Sequence, residues 1–176
     1  MEDIIINSLN FPVLTITTFL PLFGALLILL FRNEVLVKWI ALVTTVATCI
    51  VSLPIYTHFD KTTYKMQFTE IHPWIPAWNI NYMVGVDGIS VLFIILVTIL
   101  SILCVAVSWR AIRKKTKEFF ISLLIMETAM IGVFVSLNIF LFYLFWELTL
   151  IPMFLLIAVS YTHLRAHETL RYLVCR

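Results

Sequence analysis

Glu147 lies near the middle of Asn138–Ala158, NIFLFYLFWELTLIPMFLLIA, an otherwise uncharged stretch of membrane-spanning length. A second carboxylate, Glu127, lies about halfway along the apolar run Phe119–Val135. A charged carboxylate at the centre of a bilayer costs roughly 2.5–3.5 kcal/mol on insertion scales, so such a group binds or relays a cation or proton, or is paired structurally. Pro152, five residues after Glu147, has no N–H to donate to the carbonyl of Leu148, which frees an acceptor one residue from the carboxylate. The freed carbonyl, the carboxylate and Trp146 make a polar, hydratable spot in an otherwise dry helix. A proton relay needs such a spot, together with an opposing positive charge to balance the low dielectric. Glu147 is therefore the candidate proton relay. Glu127 is a candidate auxiliary acid, or alternatively a hydrogen-bond partner in helix packing.

Other residue types offer less. Asn138 reads as a turn residue or cap, and Phe140, Phe142, Tyr143, Phe145 and Trp146 as packing and lipid-facing surface. His58 and His72 have no partners at ligand spacing, and Cys49, Cys104 and Cys175 give neither disulfide nor metal spacing, so no metal site is expected. The basic residues cluster once, at Arg110–Lys117, between apolar runs, which argues against a nucleic-acid partner.

The elements that position the carboxylates are membrane spans. Hydrophobic residues make up 62% of the 176, charged residues 12%, and mean hydropathy is +1.04, far from a soluble domain. The expected class is an all-α membrane protein of about five transmembrane helices, embedded in a lipid bilayer. Residues 11–31 form the first span and 35–57 the second, with Trp39 and Tyr56 near its opposite ends as an aromatic belt. Residues 89–109 form the third span, with Asp87 placed as its N-cap. The forty residues 119–158 would make one helix of about 60 Å, twice a membrane, so they divide at a turn near Ser136–Asn138 into spans 119–135 and 138–158. Between spans two and three, Tyr64–Thr69 and Trp78–Val84 alternate apolar and polar residues around a Pro-containing connection, Ile71–Ala77, which predicts a short β-hairpin on the membrane surface.

Orientation follows from the basic residues. Arg32, Lys38 and the five of the Arg110–Glu118 loop fall on one side, against Lys61 and Lys65 on the other, where Glu2 and Asp3 also lie. The positive-inside rule then places the N-terminus and the hairpin outside and loop 110–118 in the cytoplasm.

GVDGIS at Gly85–Ser90, the Met126–Phe154 run METAMIGVFVSLNIFLFYLFWELTLIPMF and the basic turn after Ser108-Trp109 closely resemble the antiporter-like proton-channel subunits of NADH-quinone oxidoreductase, respiratory complex I. The resemblance covers about Phe11–Val159, and residues 1–159 are expected to form the N-terminal part of an antiporter-like membrane subunit. It implies a fold of fourteen transmembrane helices in two inverted repeats. It also implies an essential membrane Glu in the fifth span, matching Glu147, and a lysine in the seventh that has no counterpart here. It further implies a place in the inner (plasma) membrane among the other membrane subunits of the complex. No redox centre is implied in this chain, since NADH, FMN, the iron–sulfur clusters and quinone belong to partner subunits. The alternative is a subunit of the related multisubunit cation/proton antiporters. At about Ser160 the chain departs from the family. Residues 160–176 end in THLRAHETLRYLVCR, in place of a Gly-containing loop and a long helical remainder. That tail looks adaptor-derived, and the chain is then expected to be an N-terminal piece, inactive alone.

Overall fold

The computed structural model describes residues 11–63, 65–76, 80–112 and 115–173. Five helices in it are long and apolar enough to cross a membrane. They are α1 (Val13–Leu30), α2 (Glu34–Thr57), α3 (Gly88–Ala111), α4 (Thr116–Val135) and α5 (Ile139–Leu173). A two-stranded antiparallel sheet, β1 (Gln67–Ile75) and β2 (Ile80–Val86), joins α2 to α3. The expected class, spans and hairpin are all found.

Three boundaries differ from the sequence reading. First, the hairpin is offset: β1 runs through Ile71 and Pro73, which alternation had assigned to the connection, and Pro73 pairs with Asn81. A proline is tolerated there because each strand of a two-stranded sheet is an edge. Tyr64 and Trp78 lie outside the described residues. Second, the basic loop is shorter than 110–118, because α3 continues to Ala111 and α4 begins at Thr116. Third, α5 continues as one helix to Leu173, although its apolar part ends at Ala158. Residues 159–173 contain no Gly or Pro and include Leu, Arg, Ala and Glu, which sustain a helix on propensity alone.

Side-chain caps fix the ends of the bundle. Asp87 accepts from the Ser90 N–H at 2.7 Å at the start of α3, as expected, and this backbone hydrogen bond holds its carboxyl below the usual Asp range. Asp87→Ala should therefore cost about 1 kcal/mol at neutral pH. Because the folded-state carboxyl is the stronger acid, that contribution is present above the unfolded Asp range and disappears as pH falls through the folded one. Unfolding titrations of both proteins at neutral and acid pH should converge at acid pH. Asn138 is the corresponding cap of α5: its Oδ1 accepts from the Phe140 N–H at 2.9 Å, while its Nδ2 donates to the Asn81 carbonyl of β2 at 3.2 Å. With Leu137 N–H donating to the Met83 carbonyl at 3.0 Å, the α4–α5 turn is sewn to the hairpin.

The opposite end is held by lysines. Lys38 Nζ donates to the Trp109 carbonyl at 2.8 Å at the end of α3, and Lys117 Nζ to the Leu29 carbonyl at 2.8 Å at the end of α1. Both cations meet helix C-termini, where free carbonyls and the helix dipole favour positive charge. Trp39 and Trp109 meet edge to face beside Lys38.

The buried interior divides into two apolar clusters. The cluster at the hairpin end joins Val13 and Leu14 of α1, Phe68, Val84 and Val86 of the sheet, and Ile131 and Val135 of α4. Phe68 reaches it through a β-bulge, with φ at 53°, that buries Gln67 and Phe68 in succession. The cluster at the lysine end joins Ala25, Ile28, Val37, Ala41, Val105, Phe120 and Leu124. Helix α5 packs on α4 through Gly132, whose missing Cβ would fall inside the Phe145 ring. Gly132→Ala must push the ring aside at a cost of about 1–3 kcal/mol, and should be read as faster proteolysis of α5 in detergent.

Candidate functional site

Glu147 sits on the outward face of α5, exposed, with the Tyr143 hydroxyl donating to its Oε1 at 2.9 Å. Tyr143 precedes it by four residues, one helical turn, and is exposed as expected, with this hydrogen bond in addition. Leu144, Leu148, Leu150 and Ile151 surround the carboxylate and line a shallow apolar hollow. Pro152 lies inside α5 and is buried on the bundle side. Of the five spans, α5 is the least covered, with Ile139, Ile151 and Phe154 all exposed.

Glu127 is placed oppositely. Its side chain is 0% exposed on the inner face of α4, and neither carboxyl oxygen has a hydrogen-bond partner among the described residues. Ser101 of α3 is buried too, between the same two apolar clusters. The structure therefore does not bring the two carboxylates together: one looks into the bundle and the other out of it.

A third carboxylate escaped the sequence reading. Glu70 of β1 is 6% exposed and accepts from the backbone N–H groups of Leu14 at 3.0 Å and Thr15 at 3.3 Å, and from the Thr15 hydroxyl. That hydroxyl also lies 3.0 Å from the Tyr82 hydroxyl, and the Tyr82 ring stacks with His72. Burial, first, and the nearby Glu70 charge push the Tyr82 phenol above its usual range, while its hydrogen bond with Thr15 acts the other way. Pro12, at the N-cap of α1, brings no side-chain cap of its own, so Glu70 supplies one from the hairpin. No local motif announces a cap that lies fifty-six residues away in the chain.

His58 is exposed, its Nδ1 3.1 Å from the Thr57 hydroxyl and from the Pro54 carbonyl. Among the described residues no group of three or more His, Cys, Asp or Glu could hold a metal ion, and Cys49 and Cys104 are free thiols. Cys175 lies outside the described residues.

Fold and site together define a multi-pass helical membrane protein carrying ionisable groups within its spans. The comparisons narrow this further. The chain is 44% identical over 155 residues to NADH-quinone oxidoreductase subunit M of Rhodobacter capsulatus, covering 83% of the chain and 29% of that protein. To the subunit M of Rickettsia typhi it is 35% identical over 172 residues, covering 93% of the chain and 35% of the relative. NADH-ubiquinone oxidoreductase chain 4 of Arabidopsis thaliana is 42% identical over 141 residues, covering 79% and 28%. The chain thus has homologues named as subunit M and chain 4, as GVDGIS and the Met126–Phe154 run implied, and it spans about a third of the length of those relatives. No family model matches it.

Among solved structures, respiratory complex I from Thermus thermophilus with bound NADH aligns at a TM-score of 0.66 and 21% identity, covering 79% of this chain and 27% of that one. An archaeal membrane-bound sulfane sulfur reductase aligns at the same TM-score with 18% identity, covering 80% and 22%. At such identities the likeness is one of fold.

Proposed function

We propose that this chain is part of a proton-translocating membrane subunit of an NADH-quinone oxidoreductase, in which Glu147 relays protons within the bilayer and Glu127 serves as an auxiliary acid. The observation that carries this reading is the Glu147–Tyr143 pair on α5. An acid with its own hydroxyl donor, on a membrane helix, occupies the position of the family's essential Glu. Its face of α5 is left uncovered by the other four helices, open to further spans such as the one that brings the family's lysine. The energy source is NADH oxidation by quinone. FMN, the iron–sulfur clusters and quinone lie in partner subunits, and this chain contributes no redox chemistry. It supplies the translocase part of the enzyme, among other membrane subunits of the complex.

The same reading assigns the chain to the inner (plasma) membrane, with the hairpin end outside and the lysine end in the cytoplasm. The pairing of Lys38 and Lys117 with helix ends on one side is consistent with that orientation. Residues 1–159 are the family segment and 160–176 an unrelated tail. A place in a multisubunit cation/proton antiporter is the competing reading. Identities of 35–44% to subunits named for NADH oxidoreductases favour the first. The test is NADH-driven proton uptake by inverted membrane vesicles from cells whose complex carries this segment with and without Glu147→Gln. Unchanged uptake in the variant overturns the relay role.

A further inference from the structure

Between the two apolar clusters every one of the first four helices changes character. On α1 the buried residues between Leu14 and Ala25 are Thr17, Thr18, Pro21 and Gly24. On α2, between Ala41 and Ile55, they are Thr44, Thr45, Thr48 and Ser52. On α3, between Val97 and Val105, they are Thr98 and Ser101, and on α4 Glu127 and Thr128 lie between Leu124 and Ile131. These positions share one level of the bundle, since they separate the same two clusters on every helix. Ser52 and Thr98 Oγ atoms are 3.5 Å apart across α2 and α3.

The hydroxyls of this layer have largely spent their protons. Thr17, Thr18, Thr44 and Thr48 donate to carbonyls four residues back in their own helices at 2.7–2.9 Å. Thr45, Ser52 and Thr98 donate three residues back at 2.7–3.0 Å. Each hydroxyl oxygen is left as an acceptor. Glu127 stands in the same layer with both oxygens unpartnered, and the Thr128 hydroxyl is unpartnered too. An ionised Glu127 here would add acceptors to acceptors. No described cation faces it: α1 and residues 88–109 of α3 carry no charge, Lys38 of α2 and Arg110 lie at the far end, and Glu147 points out of the bundle. Buried polar atoms without protein partners are generally satisfied by ordered water, which needs two to four polar contacts. An open, largely apolar hollow of about 610 Å³ between α1, α4, α5 and the hairpin has Thr128 in its lining, together with Thr15, His72 and Tyr82.

We propose that the hydroxyl layer is a water-binding site in which Glu127 holds a proton and exchanges it with buried water through Thr128 and the cavity, which rests on the acid role given to Glu127 above and adds its exchange partner. The bound class is water, and the exchanged species is the proton. The protonated carboxyl donates into a layer whose hydroxyls, Thr128 excepted, already donate within their own helices, and water relays that proton toward the hairpin end.

The test is infrared spectroscopy of this chain in lipid nanodiscs at neutral pH, transferred from H₂O to D₂O. A protonated-carboxyl band should be present, vanish in Glu127→Gln with helical content unchanged, and shift down in D₂O within minutes. Ser101→Ala should move the band without removing it, Thr128→Val should slow its exchange severalfold, and Glu70→Gln should leave it in place. A band that survives Glu127→Gln, or is absent from the parent, overturns the proposal. So does a Glu127 band that fails to shift over hours, the mark of a dry carboxyl. Because the measurement needs no redox partner, loss of translocation through Glu147 would leave this band untouched.

Discussion

Glu147→Gln in an assembled oxidoreductase carrying this segment should reduce NADH-driven proton uptake by about 10²-fold or more, the range lost when a positioned acid–base group is removed. Gln keeps the volume and the hydrogen-bonding reach of Glu but can neither accept nor release a proton at any accessible pH. Tyr143 can still donate to the amide oxygen across the same helical turn, so a fall in uptake reports lost proton transfer rather than lost structure. Glu147→Asp keeps the acid but withdraws it by one methylene from Tyr143, and should retain intermediate uptake. Tyr143→Phe removes a single donor from an exposed carboxylate and should cost only severalfold. The order of effects, Gln beyond Asp beyond Phe at its own position, separates relay chemistry from packing. A structural role predicts that Asp, which loses the Tyr143 contact, is the worst of the three. Helical content and assembly of each variant complete the measurement.

How far the sequence could be read depended on how local each cause was. The spans and the Ser136–Asn138 turn are legible because hydrocarbon thickness and chain length act on contiguous residues, and the caps at Asp87 and Asn138 because a cap lies within three residues of what it satisfies. The hairpin was legible in kind and offset in register. Alternation fails at Pro73 and at the Phe68 bulge, whose positions are set by packing on α1 and α4 rather than by strand propensity. The Lys38 and Lys117 caps and the Glu70 cap were not legible, since partners lie fifty-five to eighty-eight residues away. For the candidate site, Glu147 and Glu127 stood out by cost alone, yet their opposite facings did not, because α5's exposure depends on which helices are beside it. The hydroxyl layer left a visible trace in Thr44, Thr48 and Ser52, four residues apart on one face of α2, but the matching levels on α1, α3 and α4 emerge only once the helices are packed.

The largest stability effect should fall on Glu70, far from either span carboxylate. Helix α1 begins after Pro12 without a side-chain cap of its own, and its first turn packs against the hairpin with Leu14 buried and Thr15 half-buried, so water has little access to the Leu14 N–H and only partial access to that of Thr15. Glu70 satisfies both, places its negative charge at the positive end of the helix dipole, and receives the Thr15 hydroxyl. Glu70→Ala orphans one buried donor, one half-buried donor and a hydroxyl, and opens space between β1 and α1. Each unsatisfied donor costs about 1–3 kcal/mol. Partial collapse and water entry recover part of that, so a loss of about 3 kcal/mol is expected, roughly three times the effect of Asp87→Ala at the less buried start of α3. Glu70→Gln removes the charge and turns one acceptor into a donor facing a donor, which should cost about half as much. Unfolding in mixed micelles gives the ranking, and hydrogen exchange gives the location. In Glu70→Ala the amides of Leu14 and Thr15 should lose protection first, while those at the start of α3 keep theirs. If protection at α1 is unchanged, Glu70 is a passenger in the hairpin, and the sheet is held to the bundle by the Phe68–Val84–Val86 cluster alone.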